Sequence, residues 1–115
     1  MDGATLSIHD ITRQLNQWLG NSLVAVLSSA KDVREPSEWE NSDGAEPPSD
    51  VQERLRSAHS VWGRMVHKTS DDEARLWFTG SNKLLSTAPV VALRDGRVKD
   101  FEEAADAFLG GAWSL

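Results

Sequence analysis

The sequence predicts an all-α fold, a multi-helix bundle in which an N-terminal helix-turn-helix-like part packs on a C-terminal helical part. Three observations predict it. Apolar residues recur every three or four positions along most of the chain, which is the spacing of one helix face. Capping residues stand ahead of these runs and Gly or Pro behind or between them. A short continuous apolar run, Leu23 to Leu27, has helical neighbours and no partner strand, which favours a helix there too. A chain of 115 residues can bury a sizeable core without a covalent staple. It contains no cysteine, which excludes disulfide frameworks, Cys-based zinc sites and thiol catalysis.

The first element follows from Ile8, Ile11, Leu15, Trp18 and Leu19, which fall on one helical face. Ser7 with Asp10 resembles a capping box and Gly20 suits the stop. The run Leu23 to Leu27 makes the second helix, and Ser28-Ser29-Ala30 a turn. Residues 33–41 allow a short third helix, with Pro36 tolerated only in its first turn. Residues 41–48 have loop chemistry. Ser49-Asp50-Val51-Gln52 then reads as a capping box. It opens a helix over 49–65 with Val51, Leu55, Ala58, Trp62 and Met65 inward. Ser70-Asp71-Asp72-Glu73 is another box, starting a helix through Trp77 and Phe78. Pro89 fits the first position of a helix ending at Asp95, with Gly96 as its left-handed stop. Asp100 and Glu103 frame a last cap, before Phe101, Ala104, Ala105, Phe108 and Leu109. The expected organisation is a helical region over 1–65 and a second over 66–115, with the 49–65 helix packing on both.

Charge and motifs exclude several classes. The net charge is −6, unfavourable for non-specific binding to phosphate backbones. The acid concentrates in residues 31–50 and the base in residues 51–68. No run approaches the length of a transmembrane helix, and the N-terminal residues lack a secretory pattern. A cytoplasmic protein without a membrane partner is the expectation. His9, His59 and His67 have no metal-ligand spacing, and they read as exposed or half-buried helical residues. Asp71, Asp72 and Glu73 read as a helix start that complements the dipole, rather than as catalytic acids. Neither G-x-S-x-G nor a P-loop is present. The chain is therefore expected to be no enzyme and to hold no cofactor.

Five tryptophans and no tyrosine stand out. Trp18, Trp62 and Trp77 read as core. Trp113 follows two glycines near the end of the sequence. It suits either an anchor in a partner's pocket or a residue folded onto this protein's own core. Helices over 8–19, 22–28 and 33–41 also have the order and lengths of a helix-turn-helix, with Trp39 as inward anchor. Glu35, Glu38 and Glu40 on the third helix oppose phosphate, and Pro36 shortens it.

The segment Arg75-Leu76-Trp77-Phe78-Thr79-Gly80-Ser81-Asn82-Lys83-Leu84-Leu85, then Ala88-Pro89 and Leu93-Arg94-Asp95-Gly96, resembles the Xre/MbcA/ParS toxin-binding domain. The anchored positions are Trp77, Phe78, Asn82, Leu85, Pro89, Leu93, Arg94, Asp95 and Gly96, within about residues 71–111. The N-terminal half resembles the Xre-type helix-turn-helix of the same antitoxins, in degenerate form. Gly20 to Ala30, Trp39, either Pro47 or Pro48, and Arg54-Leu55-Arg56 match it, while Pro36 and the acids depart from it.

The resemblance implies an antitoxin that neutralises an NAD-degrading toxin of RES fold by occluding its active site with a C-terminal segment. By position that segment is Gly110, Gly111, Ala112, Trp113, Ser114 and Leu115. Trp113 and Leu115 would be its anchors, and Lys83, Arg94 and Arg97 charged contacts at the rim. It also implies a homodimer. Asn82 is expected to satisfy backbone groups of the 79–87 loop. The alternative is a DNA-binding autoregulator using Lys31, Arg34 and Ser37, with Arg54 and Arg56 on phosphates.

Overall fold

In the computed structural model, residues 6–110 are described, and they form seven helices. These are α1 (Ile8–Leu19), α2 (Asn21–Ser28), α3 (Glu35–Trp39), α4 (Ser49–Lys68), α5 (Asp71–Thr79), α6 (Pro89–Arg94) and α7 (Val98–Gly110). Among the described residues there is no strand, only an isolated bridge between Asn82 and Thr87. The fold is therefore an all-α multi-helix bundle. None of these helices is long and apolar enough to cross a membrane.

Local chemistry sets the first boundaries as expected. The Ser7 hydroxyl accepts from the Asp10 N–H at 3.1 Å and caps α1. Gly20, at φ +89°, separates α1 from α2 and supplies a backbone that L side chains rarely adopt. Ser29 is left-handed at φ 63° and closes α2.

Three expectations are corrected. Ser49 is not the cap of α4, because the preceding Pro48 occupies that position and Ser49 is already helical. The Gln52 N–H bonds the Pro48 carbonyl, and the Gln52 side-chain amide donates to the Pro47 carbonyl at 2.9 Å. The helix also continues past 65 to Lys68. Likewise Asp100 lies in the first turn of α7 rather than ahead of it, since α7 opens at Val98. The third correction concerns His9, which is buried. Its Nδ1 lies 2.8 Å from the Trp39 carbonyl; as a carbonyl only accepts, that nitrogen carries the proton.

The long helix α4 organises the packing. It lies against α1 and α2 and also against α5 and α7, while α6 packs on α2, α5 and α7. One apolar core runs through all these elements, with Leu15, Leu27, Leu55, Met65, Phe78, Leu93 and Phe101 fully enclosed. The aromatic side chains join across the seams. Trp18 stacks on Trp62, Trp62 meets Phe78 edge-on, and Phe78 meets Phe101 edge-on, with ring centroids 5.6–5.8 Å apart. Trp77, half-buried, also packs on a smaller cluster of Leu85, Ala92 and Ala104. Trp18 is half-buried too, because its outer face stacks on the equally half-buried His59.

Three side-chain ties hold α4 and α7 side by side. The Ser57 hydroxyl donates to Glu102 at 2.6 Å, Arg64 pairs with Asp106 at 2.8 Å, and the Lys68 ammonium donates to the Leu109 carbonyl at 2.7 Å. The partners ascend together along both helices, so α4 and α7 run parallel. Lys68 thereby caps the C-terminal end of α7, where a cation is favoured.

Candidate functional site

The residues that carried the resemblance fold into one unit made of α5, the 80–88 loop, α6 and the start of α7. The Ser70 hydroxyl accepts from the Glu73 N–H at 3.1 Å and starts α5. Phe78 and Leu85 point into the core, and Pro89 opens α6 as a first-turn proline. Asn82 organises the loop between them. Its Oδ1 accepts from the N–H groups of Leu84 at 2.9 Å and Leu85 at 3.2 Å. Its backbone N–H donates to Thr87, and its carbonyl accepts from Ser86. Ser86 sits at φ 62°, in the left-handed region.

The end of α6 is built with the same economy. Gly96 is at φ +82°, and a Cβ there would stand 3.3 Å from the Arg54 guanidinium. Arg54 reaches across from α4 and donates through Nε to the Leu93 carbonyl at 2.7 Å.

The proposed rim residues lie around this unit. Lys83 is exposed on the loop. Arg94 is exposed and pairs with the adjacent Asp95 at 3.1 Å. Arg97 is more tightly held, donating to Asp100 at 3.0 Å and to the Leu85 carbonyl at 2.9 Å. Gly110 is exposed at the last position of α7. Gly111, Ala112, Trp113, Ser114 and Leu115 lie outside the described residues.

The residues assigned to DNA divide between two places. Lys31, Arg34 and Ser37 are exposed around the turn before α3 and on α3 itself. Arg34 is gripped by Asp32 through two side-chain contacts, at 3.0 and 2.9 Å. That pairing, with the Arg34 N–H, holds the Asp32 carboxyl down to about 2. The Ser37 hydroxyl accepts from the Asn21 amide. The third helix itself is Glu35–Trp39, shorter than the 33–41 the sequence allows, with Trp39 buried as the anchor. Arg54 is only 14% exposed and is committed to Leu93 and to Asp50. Arg56 is half-buried and donates to the Leu6 carbonyl at 3.3 Å.

Two features were missed at the level of sequence. Leu84 stands 67% exposed beside buried Leu85. The tandem leucines were the available signal, since adjacent residues of such a loop cannot both face inward. The other feature is a groove of about 590 Å³ between the first half of α4 and the start of α7, lined by Gln52, Glu53, Arg56 and Ser60 on one side and by Lys99 and Glu102 on the other. The available signal was the helical spacing of the polar residues Gln52, Glu53, Arg56 and Ser60. Among the described residues, no three His, Asp or Glu side chains gather as metal ligands would.

Comparison of the chain with family models, with curated proteins and with solved structures finds no match.

Proposed function

We propose that this chain is a binding protein of the antitoxin type, with no chemistry of its own. It would neutralise an NAD-degrading toxin of RES fold by covering the toxin's active site with residues 110–115. One observation carries this reading: the residues of the resemblance are mutually supporting. Phe78, Leu85 and Pro89 pack inward, Asn82 ties the loop, and Gly96 takes a left-handed turn. Lys83 and Arg94 stand exposed on the same unit, in positions that favour encounter with an acidic partner surface.

The test is to look for a RES-fold toxin encoded beside its gene and, with that toxin coexpressed, to follow cellular NAD; absence of such a neighbour counts against the reading. The full chain is expected to restore NAD, and a chain ending at Leu109 to leave it depleted. Equal protection by both would overturn the role given to residues 110–115. Protection by neither would overturn the antitoxin reading.

A second reading, autoregulation on operator DNA, draws on the order of α1, α2 and α3 and on buried Trp39. A mobility shift on promoter DNA that weakens with salt supports it. Absence of a shift at low salt overturns it.

A further inference from the structure

The four asparagines of the chain stand in different surroundings. Asn16 is buried, and its amide donates to the Pro36 carbonyl and to Glu40. Asn21 is half-buried at the first position of α2, with its amide on the Ser37 hydroxyl. Asn82 is half-buried and pairs its backbone with Thr87 and Ser86. Asn41 is exposed just after α3, in a turn closed by the Gly44 N–H on the Asn41 carbonyl at 2.9 Å.

Asparagine is chemically labile where the next peptide nitrogen can reach its carboxamide carbon. Three features of the 41–44 turn favour that attack. Ser42 is small and exposed, and its N–H has no acceptor among the described residues. The Asp43 N–H donates to Asn41 Oδ1 at 3.0 Å, which turns the carboxamide over the Ser42 peptide. The same donor faces the oxygen that becomes negative when the carbon is attacked. Asn21 is also followed by a serine, Ser22, but it sits in helical backbone. A helix tilts each side chain back toward its N-terminus, away from the following nitrogen. Asn82 shares the side-chain bond of Asn41, but its backbone is fixed on both sides and the longer Lys83 follows it.

We propose that Asn41 is a site of spontaneous modification, its carboxamide lost by cyclisation onto Ser42. The Ser42 nitrogen bonds to Asn41 Cγ, and its proton leaves with the side-chain nitrogen as ammonia. Water then opens the cyclic imide at either carbonyl, leaving aspartate or isoaspartate at position 41. No other reactant is needed. Each event adds one carboxylate to the stretch that already holds Glu38, Glu40 and Asp43. The inference goes beyond the antitoxin reading and does not depend on it.

The test incubates the full chain for weeks at neutral pH, folded and in urea. Peptides are then mapped by mass and by labelling with an isoaspartyl methyltransferase. In the folded chain Asn41 should convert at least about tenfold faster than Asn21, because Asn21 must first leave α2. In urea the two rates should agree within about twofold, since both residues precede serine. Isoaspartate should appear at position 41, and Ser42→Pro should abolish it, because proline offers no N–H. Ser42 is the second residue of its turn, where proline is favoured, and its N–H makes no bond to lose, so this variant keeps the fold. No conversion at Asn41, equal rates for Asn41 and Asn21 in the folded chain, a product without isoaspartate, or undiminished loss in Ser42→Pro would each overturn the proposal.

Discussion

Replacing Arg54 with methionine separates a structural arginine from a phosphate-binding one. The Arg54 side chain is 14% exposed, and its guanidinium bonds the Leu93 carbonyl at 2.7 Å and Asp50 at 3.2 Å. Methionine keeps most of the apolar stem and removes both bonds. A hydrogen bond from a charged donor contributes about 1.5–3 kcal/mol. The Leu93 carbonyl keeps a second partner in the Gly96 N–H, at 2.9 Å, so no acceptor is stranded. Asp50 is largely exposed, so its share is small. The expected loss is therefore near the lower end, about 1.5–2 kcal/mol. With a urea slope on the order of 1–3 kcal/mol per molar, the unfolding midpoint should fall by roughly 0.5–2 M. Arg56→Met is the control. Its one backbone contact is long, at 3.3 Å, and its loss should stay within about 0.5 kcal/mol. If the two variants unfold at the same midpoint, the coupling of α4 to α6 through Arg54 is wrong.

Two further predictions concern protonation and capping. Burial pushes the His59 pKa below its usual 6.5, and Arg56 adds to the effect. The fold thus favours neutral His59; its contribution is complete above 6.5 and is lost as the pH falls through the lowered folded value. Urea midpoints measured from pH 7.5 to 5 should accordingly fall more for the native chain than for His59→Gln, and parallel curves would refute this. Ser70→Ala should cost about 1 kcal/mol, because it removes the acceptor for the Glu73 N–H. Ser49→Ala should cost only a few tenths, because Ser49 makes no capping bond. Equal losses in thermal or urea unfolding would contradict that distinction.

The sequence was most legible where the physics is local. Ser7, Gly20, Ser70, Pro89 and Gly96 act through backbone groups within a few residues, so their roles could be read from spacing alone. Ser49 misled because the helix begins one residue earlier than a serine cap would place it, with Pro48 at the N-cap position, and spacing alone does not fix the first helical residue. Trp18 was read as core from its periodicity. What periodicity omits is that one ring face can be covered by a half-exposed histidine 41 residues away.

The candidate site divides in the same way. Spacing identified Asn82 and the residues around it, because an Asn that binds N–H groups two and three residues ahead is a local device. The exposure of Leu84, the commitment of Arg54 to α6 and the burial of His9 against Trp39 were decided only by tertiary structure. Each depends on which distant element arrives beside the residue, and a charge or an imidazole carries no record of that in its own neighbourhood. The sequence by itself determined the order of the helices, the caps at Ser7 and Ser70 and the apolar face that most helices turn inward. The packing of α4 against four other helices then determined which polar side chains hold the fold together and which stand at the surface.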